Sequence, residues 1–388
     1  ATSTSRQNYD DPENPIIDYE NQLFRLLKWT SSAYSMKFVA RWLLNKRKRM
    51  ERGGDVDQLP EVHACAAGLK ALCCCDAADG IEDLRRACGG HGYLLTSGIA
   101  ALEGDFKGPN TTAEGDFVVL ALQTARFLVK SLKNKSPLVG TISILEPLRR
   151  QDQNIMKPMS PSNLVSLLCD TKEESMKSTR VYLANLFAYR SLVRCSAMMR
   201  IYNSNLNTSQ QNNHPNPEGF ARENSARAMQ SAALAHVRYF IVSKFFEEVE
   251  AVSSHAERLV LHKLSVFHAL TDLLTQSWGG LLEQHEFESF DNAASILMKT
   301  LRPECVSLVD AFDFTDTILN SALGSSDGKV YEKLYESARV SAMNVDESSG
   351  RRVEVPPCLR AVKKYLSKDF LMKGLRPSSS VHHPGSRL

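Results

Sequence analysis

An all-α fold of two helical-bundle domains is predicted by three features of the sequence. Apolar residues return at helical spacing over stretches well beyond ten residues, strand-like alternation is nearly absent, and Pro137, Pro147, Pro158 and Pro161 gather where the periodicity lapses. With 388 residues, 43% of them hydrophobic, the chain can fill two cores.

Tyr9 to Pro15 reads as extended. Ile16, Tyr19, Leu23, Leu26 and Leu27, then Ala33, Tyr34, Phe38 and Trp42, predict one long helix or two abutting ones. Gly53 to Gln58 is a polar loop. Pro60 suits the first turn of a second helix, which runs through Val62, Ala66, Leu69, Leu72 and Ile81 to Ala87, with Gly89 placed to stop it. Another helix spans Val118 to Leu128, and Lys133 to Pro161 reads as an interdomain crossing. Helical spacing resumes at Leu164 to Leu168 and from Met176 to Met198. Asn203 to Gly219, rich in Asn, predicts a loop. Ala221 to Val252, His255 to Trp278 and Phe287 to Leu301 follow as helices, with Gly279-Gly280 closing the second. Leu308 to Phe314 is a turn or short helix, and Val330 to Val340 is the last helical stretch. The expected organisation is a first domain over 1–135, a linker over 136–163, a second domain over 164–370 and a tail over 371–388. No solenoid period is present.

Composition removes several classes of function. The net charge of +3 is spread along the chain, and Lys46-Arg47-Lys48-Arg49 lies among helix formers, so a solvated face is expected rather than a nucleic-acid surface. No apolar run approaches the roughly 18 residues of a membrane span, and Ala1 to Gln7 is too polar for a secretory signal. Nine cysteines show neither a disulfide framework nor a zinc-type pair, which points to a reducing compartment. Cys73-Cys74-Cys75 would splay around a helix as small half-buried hydrophobes, and no metal is expected.

Two neighbouring stretches carry the chemistry. Gly89, Gly90 and Gly92 flank His91 just beyond a helix end, where they either stop the helix or bring backbone amides against a ligand. His91 reads as a packed or flavin-edge side chain, since no second ligand stands at metal spacing. Glu114, between Thr111-Thr112-Ala113 and Gly115-Asp116, precedes a helix. It is either a capping glutamate or a base poised between the helix dipole and an apolar channel, with Thr111 and Thr112 able to cap. Glu103-Gly104-Asp105 does not make a convincing pair for carboxylate hydrolysis. Gly-x-Ser-x-Gly and phosphate-loop motifs are absent.

The sequence resembles the C-terminal half of the peroxisomal acyl-CoA oxidases, relatives of the acyl-CoA dehydrogenases. The resemblance rests on Ala87-Cys88-Gly89-Gly90-His91-Gly92-Tyr93, on Glu114-Gly115-Asp116 with Leu122 to Lys130, on Leu59-Pro60-Glu61-Val62-His63-Ala64 with Ala67-Gly68-Leu69-Lys70, on Ser307 to Phe314 and on Asp327 to Glu332, in matching order over about residues 6 to 340. It implies two helical domains of the acyl-CoA oxidase C-terminal type and Glu114 as the base that removes the α-proton of a fatty acyl-CoA. The β-hydrogen would pass to FAD, and O2 would be reduced to H2O2. It also implies FAD contacts from Arg6, Gln22, Gly89, Gly90, His91, Gly92 and Asp116, with the flavin bound largely by the partner subunit of a homodimer.

The terminal Ser386-Arg387-Leu388 is similar to a peroxisomal address read by an import receptor. Phe117 and Ala113 depart from the family pattern, and its N-terminal half has no counterpart among these residues. The rival expectation is a non-catalytic, truncated helical module that dimerises, also with a full-length oxidase. A dehydrogenase that passes electrons to another flavoprotein is disfavoured by the second helical domain and by the terminal tripeptide.

Overall fold

The computed structural model describes residues 14–54, 56–134, 137–150, 155–276 and 278–341. Arg6 and the terminal tripeptide lie outside the described residues. The described residues are helices and connecting turns, with no strand among them, so the all-α expectation holds.

Helix α1 (Glu20–Glu51) is single and unbroken. Its buried stripe of Leu23, Leu27, Tyr34 and Phe38 follows the helical period. Ser31 and Ser35 on the same stripe are tolerated because their hydroxyls donate to the carbonyls of Lys28 and Ser32, each at 2.8 Å. The Lys46 to Arg49 cluster falls in its last turns, largely exposed.

Helix α2 (Leu59–Ala87) carries Pro60 in its first turn. The chain continues through α3 (Ile99–Asp105) and α4 (Phe117–Lys133). The proline-rich crossing contains a 3-10 turn over Gly140–Leu145 and the short α5 (Glu146–Arg149), and buries Leu138, Ile142 and Leu145. Then come α6 (Leu164–Cys169) and α7 (Glu173–Gln211). Helix α7 overruns the loop expected from Asn203, because Tyr202 and Ser209 are buried and Leu206 packs on a core cluster. Tertiary burial outweighs the low helix propensity of the asparagines there.

Helices α8 (Pro217–Asn224) and α9 (Ala226–Glu250) are separated at Ser225, where one helix was expected. The series ends with α10 (His255–Thr275), α11 (Gln284–Leu301), α12 (Cys305–Asp310), α13 (Asp316–Leu319) and α14 (Val330–Val340).

The described residues fall into two compact units, one within Ala1–Tyr93 and Ile99–Phe314, the other within Leu94–Gly98 and Thr315–Leu388. In the first unit the largest core joins α1, α6, α7, α9, α10, α11 and α12, and a second core joins α4, the 138–145 segment, α7, α8 and α9. Helix α2 approaches α4 and α9 closely at Gly68, where a Cβ would stand 2.5 Å from Val237 Cγ2 and 2.9 Å from Thr124 Oγ1. Thr124 Oγ1 donates to Ala64 O at 2.9 Å across the same contact. Helix α2 is therefore set rigidly, and both candidate site segments hang from it. In the second unit, Ala322 N donates to Thr96 O at 2.8 Å.

Candidate functional site

The glycine cluster sits at the C-terminus of α2. Cys88 caps the helix and Gly89 follows with φ 58°, the left-handed residue that ends a helix and that glycine adopts without a Cβ penalty. Gly89–Tyr93 then forms a 3-10 turn with His91 half-buried in it. Gly92 cannot be larger, since a Cβ there would lie 2.1 Å from Arg85 O. Gly89 and Gly90 are exposed, and a Cβ on either would meet nothing within 4 Å. The backbone at this pair is open to a ligand.

Arg85 holds the turn in place. Its Nε donates to Gly92 O at 3.2 Å, its guanidinium lies 4.7 Å from the centre of the Tyr93 ring, and it pairs with Glu103 on α3. Glu103 also pairs with Lys107 at 3.4 Å. The acid of the first Glu-Gly-Asp is thus committed to ion pairs.

From α1, Gln22 Nε2 donates to Ala87 O at 3.2 Å, which brings Gln22 beside the glycine turn. Arg25 and Trp29, one and two turns further along, both bond the Asp83 carboxylate at 2.7 Å. Burial pushes the Asp83 carboxyl up, but the hydrogen bonds from Arg25 and Trp29 together with the Arg25 charge outweigh it and hold the group below its usual value.

Glu114 lies on the turn that leads into α4. It is exposed and has φ 64°, a left-handed conformation that costs a residue with a Cβ about 1–2 kcal/mol. Gly115 follows with φ 120°, open to glycine alone, and its Cβ would press on Leu120 at 3.1 Å. The cap of α4 is Asp116, whose Oδ1 accepts from Val119 N at 2.8 Å. The threonines expected as caps point the other way: Thr111 Oγ1 donates to Lys107 O at 2.5 Å and Thr112 Oγ1 to Gly108 O at 3.0 Å. Among the described residues no side chain bonds the Glu114 carboxylate. The backbone of the turn decides where it points.

That backbone is held from α2. Lys70 Nζ reaches Gly115 O at 2.8 Å and Thr111 O at 3.4 Å. Phe117, where the family pattern expects a polar residue, packs against Ala67, Ala71 and Leu120 and serves the core. Lys70 and Arg85, the two α2 residues that hold the turns, stand about 22 Å apart along the helix. Two groups of candidate residues are thereby set along α2: Gln22 of α1 with Gly89, Gly90, His91 and Gly92 at its end, and Glu114 with Asp116 nearer its middle.

Sequence reasoning named Lys70 only as part of a motif and missed Arg85, Asp83 and Trp29. Trp29 meets Asp83 across 54 residues, and Arg85 reaches 7 residues to Gly92 and 18 to Glu103, contacts that leave no local pattern. No group of three or more His, Cys, Asp or Glu that could hold a metal occurs among the described residues, and no described helix is long and apolar enough to cross a membrane.

This helical scaffold and its two turns correspond to a known class. The family profile described as "Acyl-CoA oxidase, C-alpha1 domain" matches residues 2–129, and the one described as "Acyl-CoA oxidase" matches residues 182–354. The chain belongs to the acyl-CoA oxidase family and corresponds to its C-terminal region. Human peroxisomal acyl-coenzyme A oxidase 1 is 31% identical over 347 residues, which is 87% of this chain and 50% of that relative. The solved structure of acyl-CoA oxidase 1 from Arabidopsis thaliana superimposes with a TM-score of 0.75 at 31% identity, over 95% of this chain and 53% of that one. Acyl-CoA oxidase-2 of Caenorhabditis elegans, bound with FAD, ascaroside-CoA and ATP, gives 0.75 at 25% identity, over 97% and 53%. The chain spans about half the length of the curated relatives it matches.

Proposed function

We propose that the chain is the C-terminal part of an FAD-dependent acyl-CoA oxidase, which converts a fatty acyl-CoA to the trans-2-enoyl-CoA and reduces O2 to H2O2 in peroxisomal β-oxidation. Glu114 takes the α-proton onto its carboxylate. The observation that carries this role is the turn itself: an exposed carboxylate held in a left-handed conformation unusual for glutamate, with no side-chain partner among the described residues. Such strain persists where the surroundings enforce it, and it gathers at working sites. A base aimed by its backbone and free of ion pairs is ready to accept a proton from a weakly acidic carbon.

The residues present fit FAD. Gly89 and Gly90 leave open space against bare backbone at the end of α2, and Gln22 and His91 border it. Bound there, FAD supplies the hydride acceptor and the reaction with O2. Gln22, Gly89, Gly90, His91 and Gly92 hold it, with Arg6 assigned from sequence alone. Asp116 caps α4 with one oxygen and is proposed to face the cofactor near Glu114. The separation of the two groups along α2 suits a homodimer in which the glycine end serves the flavin of the partner subunit. The C. elegans relative bound with FAD supports this reading. The sequence division into 1–135 and 164–370 is kept as a proposal, supported by profile matches to residues 2–129 and 182–354. Residence in the peroxisome rests on the name of the human relative and, as sequence, on Ser386-Arg387-Leu388.

The test is peroxide production on a fatty acyl-CoA by the chain joined to the N-terminal half of an acyl-CoA oxidase. Glu114→Gln keeps size and removes the base, so the rate is expected to fall by about 100-fold or more. Full activity in that variant overturns the assignment.

A second reading, a non-catalytic helical module that pairs with a full-length oxidase, is favoured by apolar side chains left exposed near both turns, Tyr93 at 58% and Val119 at 56%. A purified chain that is yellow with flavin removes this reading. A colourless chain that co-purifies with a full-length oxidase supports it.

A further inference from the structure

We propose that Lys70 is a positioning residue for Glu114: its ammonium clamps the turn that aims the carboxylate, and so sets the rate of proton abstraction without touching substrate. The inference rests on Glu114 being the base and adds how that base is held.

Helix α2 gives Lys70 a fixed mount. Leu69, Ala71 and Leu72 on either side of it are buried at 5%, 2% and 4% exposure, and Gly68, two residues earlier, packs tightly against Thr124 and Val237. From that mount the half-buried Nζ bridges Gly115 O at 2.8 Å and Thr111 O at 3.4 Å, one carbonyl on each side of Glu114. An ammonium has three donors and no acceptor, and charge-assisted bonds to carbonyls are stronger than neutral ones.

The rest of the turn does not do this work. Ala113 N donates to Pro109 O at 2.8 Å and Gly115 N to Thr112 O at 3.1 Å, while the two threonine hydroxyls turn back to Lys107 and Gly108. All of these bonds stay within the loop. The Asp116 cap, with its Oδ1 on Val119 N, ties the loop to α4 only beyond Gly115. The Lys70 contacts tie the turn to α2 on both sides of the left-handed residue. Without them the turn can relax to right-handed φ values, the Cβ of Glu114 swings to a new direction, and the base points elsewhere.

Two measurements test this. In the 388-residue chain, hydrogen exchange at Ala113 and Gly115 is expected to speed up about tenfold or more in Lys70→Met, with α4 amides beyond Leu120 unchanged. In the chain joined to an oxidase N-terminal half, kcat is expected to fall about tenfold or more in Lys70→Met with KM unchanged, and Lys70→Arg, which keeps the charge and the donors, is expected to recover most of it. Unchanged exchange at Ala113 and Gly115 overturns the clamp. Exchange that rises equally throughout α2 and α4, or kcat and KM that shift together without rescue by Arg, shows a merely structural lysine and overturns it too. If Glu114→Gln keeps full activity, the reading of Glu114 as base falls by itself, and exchange at the turn still decides whether Lys70 holds it.

Discussion

Arg238 presents both terminal nitrogens to Asp76, with Nη1 and Nη2 each 3.1 Å from one of its carboxylate oxygens. The same guanidinium places Nε 3.1 Å from Asp272 Oδ2, and Asp272 Oδ1 accepts from Arg190 at 3.0 Å. Four helices, α2, α7, α9 and α10, thus meet on one charge network, buried at Asp272 and half-buried at the other three residues. Removing its central cation strands Asp76 and leaves Asp272 with Arg190 alone, which costs far more than the net worth of the pairs. Arg238→Met is expected to destabilise the chain by about 3–5 kcal/mol, read as a shift in the midpoint of urea unfolding. A change below about 1 kcal/mol would show that water replaces the arginine.

Glu114→Gly separates stability from the proposed chemistry. Glycine takes φ 64° without strain, so the variant is expected to be more stable by about 1 kcal/mol, despite the freer unfolded chain, while peroxide production in the joined preparation is lost. A destabilised variant would mean that the glutamate side chain itself braces the turn.

The glycines at the end of α2 make different demands. Gly92→Ala forces a Cβ against the Arg85 carbonyl, and is expected to cost on the order of 2 kcal/mol and to weaken flavin binding by moving the turn. Gly90→Ala has open space and no positive φ, so its stability is expected to stay within about 0.5 kcal/mol of the parent. A Gly90→Ala chain of unchanged melting temperature that binds FAD less well in the joined preparation would place the cofactor against that position. Retained FAD affinity would remove it.

Three buried histidines contribute to the acid limb of stability. Burial pushes His236 down to about 4, and burial with the charges of Arg180 and Lys263 pushes His262 down to about 3. Burial with the Arg238 charge pushes His268 down to about 3. Each is neutral when folded and takes up a proton on unfolding below its ordinary value of about 6.5, so the unfolded state binds more protons. Stability is therefore fully present above about pH 6.5 and falls as pH drops towards 4 and 3, by up to about 1.4 kcal/mol per pH unit for each histidine. Unfolding midpoints between pH 7 and 4.5 measure the slope, and His268→Gln or His236→Gln is expected to flatten it. A slope unchanged by either variant would exclude both side chains as its source.

Much of the architecture was legible because helices declare themselves by period. Pro60, Gly89 and the stripe from Leu23 to Phe38 marked their elements directly. What escaped was set by tertiary contact. The last turns of α7 are polar in sequence and are kept helical by burial at Tyr202 and Ser209. The interruption at Ser225 separates two stretches that read as one. At the site, Glu114 and the glycines stood out through local composition. Their supports did not, because Lys70 lies 45 residues from Gly115 and Arg85 lies 18 from Glu103. The capping role passed from the threonines to Asp116 because the hydroxyls found nearer acceptors within their own loop.

The hydroxyl of Tyr34 donates to the carbonyl of Leu308 at 2.8 Å, across 274 residues of sequence, and its ring meets that of Phe312 edge to face at 4.9 Å. During synthesis the apolar stripe of α1 leaves the ribosome long before α12, the last helix of its core. At about 5–20 residues per second the interval is roughly 15–55 s. For that time the α1 stripe waits for the last helix of its core. A variant that is stable once folded can therefore still fail in the cell if it lengthens that wait.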